Sequence, residues 1–167
     1  MGIIAPTLLM REHNISGFQC GVPELDNWLS KNAFKSQRRG HARVYVVTDS
    51  VTEKVVGYYA IAMGSVQREQ AFSALKRNSP DPIPMVILAR LAVDENYHSN
   101  NIGVGLLKDC LLRSMSAMNA IGGAGILVHA IDERAQSFYK KFGFQESKVH
   151  PLMLMARVCD IEKTIRN

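Results

Sequence analysis

The sequence predicts an α/β domain built on a mixed sheet, and three observations carry that expectation. Runs rich in β-branched and aromatic residues recur along the chain: ARVYVVTD, VVGYYAIAMGSV, MVILARLAVD, GILVHAI and HPLMLMARV. Segments with apolar residues at helical spacings of three and four lie between them. No repeat, low-complexity tract or linker interrupts the alternation, so residues 1–167 are expected to form a single domain.

The first helix is read over Pro23–Phe34, where Leu25, Trp28 and Leu29 share a face and Pro23 suits a first turn. Strands over Ala42–Asp49 and Val55–Val66 flank the turn-like DSVTEK, which makes an antiparallel hairpin the simplest connection. QREQAFSALKR reads as a short helix, ended by the prolines of NSPDPIP, and a new strand starts after Pro84. MVILARLAVD has the near-continuous apolar pattern of a strand buried on both faces. A helix from Ile102, stopped by Gly122 and Gly123, precedes the strand GILVHAI. ERAQSFYKKFGF is then a helix stopped by Gly143, and HPLMLMARV a last strand.

The 47% hydrophobic and 21% charged composition is that of a soluble globular protein. The longest weakly polar stretches fall short of the ~20 residues a bilayer span needs. The start MGIIAPTLLMREHN lacks the basic and apolar regions of a signal peptide, so a cytoplasmic protein with no membrane role is expected. Three unevenly spaced cysteines argue against a disulfide framework or a zinc site, and are read as buried small apolar residues. No His, Cys, Asp or Glu spacing suggests a metal. The formal charge is +5, and KSQRRGHAR concentrates part of it in Lys35, Arg38, Arg39, His41 and Arg43. That stretch is either a solvated surface loop or a contact for a polyanion.

The loop between MVILARLAVD and the Ile102 helix joins a buried strand to a helix N-terminus. There the first N–H groups lack intrahelical partners and the macrodipole is positive, so an anion could be held. Glycine suits such a turn best and asparagine next best, so Asn100 and Asn101 fit either a phosphate loop or a plain connection. Asp132 stands where a helix N-cap is wanted, ahead of Phe138 and Tyr139.

Together RLAVD, HSNNIGVGLL in the place of a Q/R-x-x-G-x-G/A motif, and DERAQSFYKKFGF resemble the Gcn5-related N-acetyltransferases over roughly residues 43–157. FQCGVPELDNWL, GHARVYVV, VVGYYAIA, KRNSPDPIP and LVHAIDE resemble the acetyltransferase toxins of type II toxin-antitoxin pairs. The resemblance implies a mostly antiparallel sheet with a parallel pair splayed at an acetyl-CoA site. It implies that the backbone of Leu91, Ala92 and Val93 pairs with the pantetheine arm. The pyrophosphate would sit on N–H groups from His98 through Gly105, namely His98, Ser99, Asn100, Asn101, Ile102, Gly103, Val104 and Gly105, with Asp132 and Phe138 also at the cofactor. Tyr139 is implied as the general acid for the departing thiolate, a role open to a phenol with a pKa near 10. The residues alone also allow Tyr139 to be a core aromatic beside Phe138 and Phe142.

The implied acceptor is the α-amino group of aminoacyl-tRNA, whose acetylation blocks translation. Lys35, Arg38, Arg39 and Arg43, with Lys76, Arg77 and Arg90, would hold tRNA phosphates. Arg90, alone in an apolar strand, is either paired structure or part of the acceptor site, and Arg77 could instead serve a helix C-terminus. His41 and His129 read as structural. A ribbon-helix-helix antitoxin and a homodimer are implied as partners. The alternatives are an acetyltransferase for a small-molecule or protein amine and a catalytically weak acyl-CoA binding regulator. Two departures from the family motif stand out, His98 for Gln or Arg and Asn101 for glycine.

Overall fold

The computed structural model describes residues 2–166. It contains a mixed sheet of seven strands: β1 (Ile3–Leu8), β2 (Arg43–Asp49), β3 (Val55–Val66), β4 (Ile83–Val93), β5 (Gly125–His129), β6 (Gln145–Glu146) and β7 (Met153–Arg157). Their order is β1-β2-β3-β4-β5-β7-β6. β4 and β5 run parallel, whereas β1–β2, β2–β3, β5–β7 and β6–β7 are antiparallel. The helices are α1 (Pro23–Trp28), α2 (Phe34–Arg38), α3 (Ser73–Lys76), α4 (Ile102–Ile121), α5 (Glu133–Lys140) and α6 (Val158–Arg166).

The chain divides into two compact units, one of Met1–Ala62 with Ala89–Cys110 and one of Met63–Leu88 with Leu111–Asn167. In the first unit, β2 and β3 form the expected hairpin, and Val55 through Ala60 are buried. The Asp49 carboxylate shapes the connecting turn by accepting the N–H groups of Val51 (2.7 Å) and Thr52 (3.1 Å). Leu9, Leu29, Ala33, Val44, Tyr58 and Ala92 pack in its core. In the second unit Phe72, Leu75, Ile83, Met85, Leu127 and Met155 do the same.

Several elements depart from the sequence reading. The first helix does not stop at Phe34: a π-helical turn over Leu29–Ala33 leads into α2, which runs to Arg38. The apolar spacing ends at Phe34, but Lys35, Gln37 and Arg38 are good helix formers, and the next residue at left-handed φ is Gly40 (φ 80°). The basic stretch is thus partly helical. QREQAFSALKR forms only a 3₁₀ turn over Arg68–Gln70 and the one-turn α3. β4 starts at Ile83 and includes Pro84, which is exposed. β1 was not expected, because IIAPTL lacks alternation and contains Pro6; its register with β2 shifts between Ile4 and Thr7, around that proline. β6 and α6 were also unexpected, being too short or too polar to carry a pattern. Asp160 accepts the Arg157 N–H (3.2 Å) and pairs with its guanidinium at the start of α6. The stops at Gly122 (φ 95°) and Gly143 (φ 89°) lie where they were read.

Candidate active site

The ladder between β4 and β5 runs from Met85↔Gly125 to Leu88↔Val128. β4 continues for five residues past that last pair, through Leu91, Ala92 and Val93. Ala92 is buried, while Leu91 and Val93 are half-buried.

The segment after Val93 is tethered at three points. Asp94, 7% exposed, accepts the Asn96 N–H (3.0 Å) on one carboxylate oxygen and the Gln19 N–H (3.1 Å) on the other. The Tyr97 hydroxyl donates to Asp49 Oδ2 at 2.6 Å, tying the loop to the β2–β3 turn. That bond, ahead of those from Val51 and Thr52, holds the Asp49 carboxyl below its ordinary range, and it pushes the Tyr97 phenol up. His98 Nε2 lies 2.7 Å from the Val93 carbonyl, which can only accept, so Nε2 carries the proton.

These tethers change which groups can meet an anion. Residues Glu95–Asn100 form a 3₁₀ turn, at whose start the Tyr97 N–H donates to the Asp94 carbonyl (2.9 Å). The His98 Nε2–H goes to Val93, and the Gly105 N–H goes to the Asn101 carbonyl (3.2 Å). The first N–H groups of α4, those of Ile102, Gly103 and Val104, lack intrahelical partners. Asn101 adopts φ 55° and ψ 24°, the left-handed turn in which asparagine replaces glycine at modest cost. Three N–H groups at the start of a 20-residue helix fit one phosphate group.

In the second unit, Asp132 caps α5 by accepting the Ala135 N–H at 2.8 Å. Tyr139, 6% exposed, packs edge-on against Phe138 (centroids 5.3 Å apart) and Phe144 (5.6 Å). Phe142 in turn packs against Phe138, with ring centroids 5.4 Å apart. The Tyr139 carbonyl accepts the N–H groups of both Phe142 (3.0 Å) and Phe144 (3.4 Å), so the turn behind the helix closes on the tyrosine itself.

Of the basic residues, Lys35 and Arg38 project from α2 and are exposed, as is Arg39 at its C-cap. Arg43 donates to the carbonyls of Gln37 and Ala42 (both 3.3 Å). Arg90 has no ion pair among the described residues; its guanidinium lies 4.2 Å from the centroid of the Trp28 ring, which stacks on Tyr58. The Tyr58 hydroxyl in turn donates to the Leu25 carbonyl at 2.7 Å. The lone arginine in an apolar strand signalled a special environment, but its aromatic partner could not be read from spacing. Lys76 and Arg77 are exposed at the end of α3, in the second unit. His41 and His129 are both exposed.

Cys20 and Cys110 are buried as expected, whereas Cys159 is exposed on α6. Burial, reinforced by the Asp26 carboxylate, pushes the Cys20 thiol up to about 12, which keeps it protonated and inert. Among the described residues no cluster of His, Cys, Asp or Glu could hold a metal ion, and no helix is long and apolar enough to cross a membrane.

The fold is a mixed sheet with one parallel pair, whose first strand runs past that pair. The chain belongs to the acetyltransferase (GNAT) domain family, whose model matches residues 40–146. Among particular proteins, it is 37% identical over 164 residues to a tRNA-acetylating toxin of Mycobacterium tuberculosis strain H37Rv, covering 98% of each chain. The solved structure of AtaT complexed with acetyl-methionyl-tRNAfMet superposes with a TM-score of 0.88 at 26% identity, over 97% of this chain and 98% of that one. A mutant AtaT toxin bound to the C-terminus of the antitoxin AtaR and to acetyl-CoA superposes at 0.81 with 25% identity, covering 99% of both.

Proposed function

We propose that this acetyltransferase is the toxin of a toxin-antitoxin pair, transferring acetyl from acetyl-CoA to the α-amino group of aminoacyl-tRNA and thereby blocking translation. The observation that carries the reading is the 37% identity, over nearly the whole chain, to a tRNA-acetylating toxin. The whole chain acts as one catalytic domain in the cytoplasm.

Acetyl-CoA supplies an activated thioester. The backbone of Leu91–Val93 offers an edge for its pantetheine arm, and the N–H groups of Ile102, Gly103 and Val104 bind its pyrophosphate. The amine attacks the thioester carbonyl, a C–N bond forms as the C–S bond breaks, and the Tyr139 hydroxyl gives its proton to the leaving sulfur. The proton released by the amine goes to solvent, from which the tyrosine is recharged. No strong base is required, because an aminoacyl amine is substantially neutral near pH 8. Lys35, Arg38, Arg39, Arg43 and Arg90 supply positive charge for the tRNA backbone in the first unit, and Lys76 and Arg77 do so in the second. Asp132 acts on the cofactor side indirectly, by fixing the helix that carries Phe138 and Tyr139. An antitoxin holds the toxin in check, with a ribbon-helix-helix DNA-binding portion and an extended tail, and the toxin works as a homodimer.

The test is mass spectrometry of charged tRNA after incubation with acetyl-CoA. Acetylated aminoacyl-tRNA is expected for at least one isoacceptor; acetylation of none would refute the reading.

A further inference from the structure

A cavity of about 300 Å³ lies in the first unit, where the chain just after β1 meets α2; Leu9, Arg11, His13, Ile15, Phe34 and Arg38 line it. Its walls are held in place. Gln37 donates to the Leu9 carbonyl (2.7 Å) and accepts the Val44 N–H (2.8 Å), which locks α2 onto the chain at the cavity floor. His13 accepts the Met10 N–H on Nδ1 (2.8 Å), leaving Nε2–H as a donor.

Arg11 is poised over the Phe34 ring, 5.2 Å from its centroid. Arg11 and Arg38 are exposed, and no ion pair or hydrogen bond engages either guanidinium among the described residues. No carboxylate lines the cavity; Glu12 neighbours Arg11 in sequence but is not part of the lining. An aromatic and aliphatic floor beneath uncompensated guanidinium groups has the chemistry that receives an unpaired base with its flanking phosphates. Lys35 and Arg39 extend the same charge along and beyond α2.

We infer that this cavity is a nucleotide pocket that takes an unpaired nucleotide of the RNA substrate, its base and flanking phosphates held by Arg38 and by Arg11, which lies over the Phe34 ring. The inference rests on the aminoacyl-tRNA reading and adds Arg11, His13 and Phe34 to the residues that recognise RNA. Holding a nucleotide other than the one that carries the amine contributes to substrate binding and leaves the chemical step alone.

The test compares charged tRNA with puromycin, an aminoacyl-nucleoside that presents an α-amine without the remote nucleotides. Arg11→Gln is expected to raise KM for charged tRNA about five- to tenfold with kcat moved less than twofold, and to affect tRNA at least fivefold more than puromycin. In a salt series, its slope of log affinity for tRNA should fall by about one. Phe34→Leu, which keeps the apolar bulk, should raise the tRNA KM about threefold by removing the ring over which Arg11 is held. An unchanged KM for tRNA, or equal losses on both substrates, would overturn the pocket. If the unaltered protein acetylates neither substrate, the activity reading fails and the pocket is judged by binding of full-length tRNA alone. A salt slope lower by about one in Arg11→Gln then supports it and superimposable curves overturn it. Unaltered tRNA binding with impaired antitoxin binding would assign the cavity to a protein partner and overturn the inference as well.

Discussion

From Asp94 to Asn101 the chain is held largely by groups distant in sequence: Gln19 against Asp94, Asp49 against Tyr97. From Asp132 to Phe144 it is held by neighbours: a side-chain cap three residues away, rings at adjacent or nearby positions, and a glycine stop. Both segments follow a parallel strand, and both hold residues of the proposed mechanism. The first replaces the conformational freedom of a glycine-rich loop with polar tethers. The second relies on local helix chemistry and aromatic packing. The solvent-screened tether between Tyr97 and Asp49 is weak and sensitive to pH, whereas an aromatic cluster is not.

The largest effect is expected from Tyr139→Phe. Deleting the hydroxyl keeps the ring between Phe138 and Phe144 and should lower acetyl transfer by roughly 10²–10⁴-fold, the usual worth of a general acid. Acetyl-CoA binding measured by calorimetry should be retained; a kcat within twofold would leave the tyrosine as a core aromatic only. Asp132→Ala removes the cap of α5 and should cost about 1 kcal/mol in chemical denaturation.

Tyr97→Phe should weaken acetyl-CoA binding by roughly threefold, a modest change because its bond to Asp49 is solvent-screened. Tyr97 holds the folded Asp49 carboxyl below its unfolded value, so the stability that Asp49 contributes is present above about pH 4 and is lost as pH falls toward the folded value. Carboxyl NMR titration should show the Asp49 pKa rising in Tyr97→Phe. An unmoved titration would mean the contact is not formed in solution.

The smallest effect is expected from Asn101→Gly. Because Asn101 already occupies the left-handed region, acetyl-CoA affinity should change less than about twofold and stability by less than ~1 kcal/mol. A large gain in affinity would show that asparagine strains the loop.

The local segment was the more legible one. The Asp132 cap and the Gly143 stop follow from helix-end chemistry within a dozen residues, and so does the grouping of Phe138 with Tyr139. The left-handed turn near Asn101 was also readable, since few residues other than glycine tolerate it. The tethers were not: Gln19 and Asp94 are separated by 75 positions, and Tyr97 and Asp49 by 48. Nothing in the spacing of either pair marks it. For the same reason the 3₁₀ turn over Glu95–Asn100 was not read.

By itself the sequence determined the alternation of helices and central strands, the hairpin of β2 and β3, the helix stops and the family, because apolar period, cap residues and turn residues act over short distances. Tertiary structure alone decided that IIAPTL is a strand, since an exposed edge strand draws its order from the partner that pairs with it. It decided that Arg90 rests on Trp28, because an aromatic face can offset a half-buried charge only when folding brings the two within a few ångströms. It also decided that Arg11 meets Phe34 across a cavity, joining residues that local chemistry gives no reason to associate.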